Sequence, residues 1–151
     1  MRALSLSVAL AALLVSAPAE GAAQTNLAGD WLLTIGTPPG DPAGSGHWVY
    51  VDRRGRTCLW PSRPMLYGIT VTQDGRALTA TGVTGASGPF EINGSVDETG
   101  IRLLWERGSF RPCGSLEFRF TGTVVENSMS GSVYVGDIFQ SEWSATRTRT
   151  P

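Results

Sequence analysis

The stretch Ile69-Thr-Val-Thr-Gln-Asp-Gly-Arg-Ala-Leu-Thr-Ala-Thr81 decides the fold. Ile69 and Val71 alternate with Thr70 and Thr72, Leu78 and Ala80 alternate with Thr79 and Thr81, and Asp74-Gly75 stands between the two runs. An apolar residue at every second position turns one side of each run to a core and the other to water, and Asp-Gly readily adopts the positive φ of a tight hairpin turn. The segment therefore reads as two antiparallel strands.

The same alternation extends to both sides. Phe90, Ile92 and Val96 pair in pattern with Ile101, Leu103 and Trp105 across Asp97-Glu98-Thr99-Gly100. Leu116, Phe118, Phe120 and Val124 pair with Met129, Val133 and Val135 through Glu126-Asn127, and a last strand carries Phe139, Trp143 and Ala145 on its apolar side. Upstream, Trp31 to Ile35 forms a first strand, Gly36 to Gly46 a Pro- and Gly-rich loop, and His47–Val51 and Arg56–Trp60 flank a hairpin tip at Asp52-Arg53-Arg54-Gly55. Strands with one apolar face, joined in sequence order by tight turns, make an up-and-down meander. About eight of them close into an all-β antiparallel barrel, which removes the exposed sheet edges; a two-sheet sandwich is the rival arrangement. The inward parity carries Phe90, Trp105, Phe118, Phe120, Phe139 and Trp143. A barrel of that size is just wide enough to be filled by side chains or to hold one small ligand, and so many rings favour a packed interior.

The N-terminus has a different composition. Arg2, the apolar run Leu4–Val15 and the small residues Ala17-Pro18-Ala19 and Gly21-Ala22-Ala23 make a signal peptide, with cleavage after Ala23 or after Ala19. The organisation expected is residues 1–23 as signal peptide and 24–151 as a single domain, periplasmic or secreted. The apolar run is shorter than a membrane span needs, so no stable membrane insertion is expected after cleavage. Twelve basic residues, all Arg, stand against 13 acidic ones, a balance that gives no footprint for nucleic acid. In an oxidising compartment Cys58 and Cys113 are expected to form one disulfide.

The ends of the domain resemble the lipocalin-like, or calycin, barrels: Gly29-Asp-Trp31 opens the first strand as Gly-x-Trp, and Arg147 stands on the last in Trp143-Ser-Ala-Thr-Arg147. In that group the tryptophan closes one barrel end and a basic residue of the last strand packs across it. The resemblance thus implies a cation–π pair between Trp31 and Arg147, with Arg149 as the second candidate. There is a weaker likeness to the avidins, but Leu32 and Leu33 stand where polar biotin-binding residues follow the opening tryptophan, so it does not extend to the ligand. A weaker likeness to secreted bacterial metalloprotease inhibitors implies a flexible N-terminal arm, here Gln24 to Ala28.

Few groups suit catalysis. His47, the only histidine, could join Asp52, and Glu91 could face Glu106. No local spacing assembles the first pair with a serine, and the second lies on the outward parity, so the chain is read as non-enzymatic, without metal or cofactor. The concentration of aromatic and arginine residues between His47 and Tyr67 points to recognition instead. Trp48, Tyr50, Arg54, Trp60 and Tyr67 are the candidate ligand-binding residues, since Trp, Tyr and Arg dominate binding hot spots. The partner expected is a small molecule or an extracytoplasmic protein, with protease inhibition and a structural role in the envelope as the alternatives.

Overall fold

The computed structural model describes residues 25–38, 47–52, 54–61, 63–85, 88–110 and 113–149. The signal-peptide reading of residues 1–23 lies outside them, as do Gln24, most of the Gly36–Gly46 loop and Arg53. Ten strands follow in chain order: β1 Gly29–Ile35, β2 His47–Val51, β3 Thr57–Pro61, β4 Met65–Asp74, β5 Ala77–Thr84, β6 Gly88–Asp97, β7 Gly100–Phe110, β8 Gly114–Val125, β9 Ser128–Val135 and β10 Ile138–Arg149. Eight of them close an antiparallel barrel in the order β1-β10-β9-β8-β7-β6-β5-β4, while β2 and β3 form a separate two-stranded sheet. The barrel closes where β1 meets β10, with Trp31 opposite Arg147 and Ile35 opposite Trp143. No edge strand is left in it, which is why a sandwich is not needed to protect the sheet.

The alternation sets the core. Ile69, Val71, Leu78, Ala80, Ile92, Leu103, Phe118, Phe120 and Val133 are all buried, and the threonines between them stand outside. Two facing glycines let the wall bend: a Cβ on Gly131 would run into the Thr121 carbonyl oxygen, and one on Gly122 into that of Ser130. Trp143 lies beside them in the register, opposite Gly131, and its indole Nε1 donates to the Thr121 carbonyl at 3.1 Å. Glycine is used here because the backbones approach too closely for any side chain.

Phe139 departs from the expected inward face. The ladder between β9 and β10 slips between Phe139 and Ser141, so that Gln140 is an extra residue and the parity reverses, as at any β-bulge. Phe139 is therefore 39 % exposed and Gln140 and Ser141 are buried in its place. The Phe139 ring meets only Tyr134 edge-on among the described ring pairs, at 5.8 Å. Phe139→Ser should accordingly cost clearly less in urea unfolding than the about 3–5 kcal/mol of emptying a packed aromatic site. A loss of several kcal/mol would mean that the ring belongs to the core after all.

Candidate binding site

The two ends of the barrel are built differently. At the end where β1 begins, the segment 25–28 folds under the barrel and inserts Leu27, which is fully buried. Leu27 N donates to Gln73 Oε1 at 2.7 Å, and Gln73 Nε2 donates to the Thr25 carbonyl at 3.1 Å. Trp31 Nε1 donates to the Leu27 carbonyl at 2.9 Å. The Arg147 guanidinium lies 4.6 Å from the Trp31 ring centre and donates to the carbonyls of Ala28 and Asn26 at 2.6 and 2.7 Å. The Leu27 N–H and carbonyl and both terminal nitrogens of Arg147 thus have partners, Arg147 Nε is buried with none among the described residues, and the stack gains the attraction of a cation for a ring face. The N-terminal segment is not the free arm that the inhibitor likeness implied, because Thr25 to Ala28 is tied to β1, β4 and β10. Above the plug, the enclosed apolar void among Leu33, Val71, Leu103, Met129 and Trp143 measures only about 10 Å³, room for a single water at most.

The opposite end is covered by the β2–β3 hairpin, which shares no ladder with the barrel. The Cys58–Cys113 disulfide, with Cα atoms 5.9 Å apart, fastens it to the turn between β7 and β8, and such a bond is compatible with an oxidising, extracytoplasmic location. Tyr50 stands opposite Cys58 in the hairpin, packs on the core and comes close to Gly136, where a Cβ would lie 3.5 Å from its ring. Trp48 stands opposite Trp60; the side chains of both lie outside those described. Arg54 is exposed at the hairpin tip.

Tyr67 does not belong to the hairpin. It lies on β4 and packs inside the barrel mouth, with ring centres 5.4 Å from Phe90 and 5.5 Å from Trp105. Phe90 and Trp105 are 4.8 Å apart, and Gly82 leaves the space that the Phe90 ring fills. Sequence reasoning missed two further residues of this mouth, Met65 and Arg107. Both continue the inward alternation of their strands, two residues beyond Tyr67 and Trp105, and counting parity past the last apolar residue would have found them. The Arg107 guanidinium lies 5.3 Å from the Trp105 ring centre, and its Nη1 lies 3.2 Å from Met65 Sδ. Tyr67 donates its hydroxyl to the same sulfur at 3.2 Å. On β10, the Ser141 hydroxyl is buried and finds no hydrogen-bond partner among the described residues.

The groups considered for catalysis are dispersed. Asp52 accepts from Arg54 N and Arg56 N and pairs with the Arg56 side chain at 2.7 Å. The backbone hydrogen bond from Arg56 is the chief cause that holds its carboxyl below the usual aspartate range. It serves as the clamp of the hairpin tip, at the far end of β2 from His47. Glu91 and Glu106 are exposed on the outer wall, where Glu91 accepts from Asn93 at 2.7 Å. No group of three or more His, Cys, Asp or Glu is arranged to hold a metal among the described residues. Comparison with protein-family models, with curated proteins and with solved structures found no match to this chain.

Proposed function

We propose that this chain is an exported, non-catalytic binding module of lipocalin-like design, which captures a small molecule or an extracytoplasmic protein at the hairpin-covered end of its barrel. The observation that carries the reading is the contrast between the two ends. One is plugged by Leu27, whose N–H and carbonyl are both hydrogen-bonded. The other holds half-buried Tyr50, Met65, Tyr67 and Phe90 and a lid attached by one disulfide. Aromatic surface with a few polar groups among it is the usual lining of ligand sites. Export is supported by the pattern of residues 1–23 and by the disulfide, and the lipocalin-like design by Gly29-x-Trp31 and Arg147.

The test is a ligand screen followed by tryptophan fluorescence, with Trp48→Ala, Trp60→Ala and Arg54→Ala compared with the parent protein. If the hairpin recognises a partner, these changes should each weaken binding by at least about tenfold, the scale of a hot-spot residue, while the protein still unfolds in one cooperative step. Tryptophan variants that lose about 3–5 kcal/mol of stability, as expected for emptying a packed site, with no partner found by the parent, would leave the hairpin as a structural cap and defeat the proposal.

A further inference from the structure

A shallow depression of about 580 Å³ lies on the outer wall of the barrel, across β7, β8 and β9. Thr121 stands opposite Ser132 in it, and Thr123 opposite Ser130. Between these four residues the wall is bare backbone, because Gly122 faces Gly131 and neither has room for a Cβ. None of the four hydroxyls has a hydrogen-bond partner among the described residues. The wall of β4, β5 and β6 is different: there Thr70 donates to Asp30 at 2.9 Å and Thr79 to Asn93 at 3.1 Å.

Two further features border the depression. The row of Thr121 and Ser132 continues to Arg102 on β7 and to Glu142 on β10, both exposed and neither in an ion pair among the described residues. One charge of each sign therefore stands at the two ends of the row. Asp97, whose carboxyl is held below the usual aspartate range by hydrogen bonds from Thr99 and less strongly by the Arg102 charge, offsets more of the positive side. The second feature lies two residues along β9, about 7 Å beyond Ser132 by the rise of a strand. There Tyr134 stands opposite Phe139, the ring that the β10 bulge turns out to solvent.

A hydroxyl both donates and accepts, so a cluster of them matches a partner built of the same groups. An apolar protein or lipid surface laid over it would bury those hydroxyls unpaired, at a cost. A nucleic acid or another polyanion needs an excess of positive charge, which Glu142 and Asp97 remove. A sugar chain meets each demand: its hydroxyls pair with the four side chains, and the apolar C–H face of a ring lies on an exposed aromatic.

We infer that the outer wall of β7, β8 and β9 binds a neutral oligosaccharide, with its hydroxyls on Thr121, Thr123, Ser130 and Ser132 and a neighbouring sugar ring against Phe139. This surface is distinct from the hairpin residues Trp48, Trp60 and Arg54 and does not depend on them.

Calorimetric titration of the full chain with cellohexaose, N-acetylchitohexaose and maltohexaose tests the inference, with hexagalacturonate as the acidic counterpart. At least one neutral chain should bind, more tightly than hexagalacturonate and with little dependence on salt. Phe139→Ser should weaken that binding at least about tenfold, the scale of a hot-spot residue. Ser130→Tyr places a ring in the depression from an exposed position and should abolish it, while Trp48→Ala and Trp60→Ala should leave it unchanged. Should Ser130→Tyr fail to fold, Thr121→Val is the second variant: it removes one hydroxyl at nearly constant shape and should weaken binding severalfold. Absence of binding by all three neutral chains overturns the inference, and so does tighter binding of hexagalacturonate. Affinity that survives Phe139→Ser and the variants in the depression, or that is lost with Trp48 or Trp60, places the sugar elsewhere on the molecule and overturns it as well.

Discussion

Replacing Trp31 by alanine should destabilise the protein by about 3–5 kcal/mol, the range for deleting a buried tryptophan from a packed site. Trp31 is 1 % exposed and lies on β1 between Arg147 of β10 and Ile69 of β4, where the barrel closes. Its loss removes more than apolar contact. The Leu27 carbonyl loses the indole donor, and the Arg147 guanidinium loses the ring beneath it. Leu27 is then a plug without its support. Trp31→Phe separates these contributions, because it keeps a ring for Leu27 and Arg147 but removes the Nε1 hydrogen bond, and it should cost about 1–2 kcal/mol. Urea unfolding followed by far-UV circular dichroism gives both numbers. A loss below about 1 kcal/mol in Trp31→Ala, the level of an ordinary surface change, would mean that the plugged end does not hold the barrel shut.

The second large effect is expected at the disulfide. Cys58 and Cys113 close a loop spanning 55 residues, and on loop-closure grounds their bond stabilises the fold by roughly 4 kcal/mol. The double variant Cys58→Ala, Cys113→Ala should lose most of that, measured as a fall in the urea midpoint. The position of the bond adds a local consequence. The hairpin shares no ladder with the barrel, so in the variant it should be cut by a protease at its exposed Arg54 tip well before the barrel unfolds. An unchanged midpoint together with unchanged resistance at the tip would show that packing alone holds the hairpin down.

The alternation of Ile69, Val71, Leu78 and Ala80 was enough to read the barrel, because a one-sided core writes itself into every second residue. Phe139 was misread for the same reason: parity counting assumes an unbroken ladder, and one inserted residue, Gln140, reverses every side chain before it. Leu27 was invisible as a core residue because it lies outside any strand and has no periodic neighbours to mark it. Tyr67 was placed with the hairpin because nearness in sequence stood in for nearness in space; Pro61 and Pro64 separate the two, and Tyr67 belongs to the wall. Arg107 lies past the last apolar residue of its strand and so is not marked by the alternation, although its place two residues beyond Trp105 is an inward one. A long side chain can follow the inward parity and still bring its charge to the rim.

The pairing of β1 with β10 also bears on how the fold is reached. Arg147 donates to Ala28 across 119 residues of chain, so the closing contacts are the most distant in sequence and the last for which partners become available during synthesis, which runs from the N-terminus. Until then β1 and β4 can pair with each other but β1 has an open edge, the state in which an incomplete sheet recruits a neighbouring molecule. High contact order makes such closure slow, on the millisecond-to-second scale of all-β domains. The seam between the first and last strands is therefore the kinetic weak point of this molecule. A protein held unfolded until its whole chain is available, and only then allowed to collapse, would avoid the long interval in which that seam stands open.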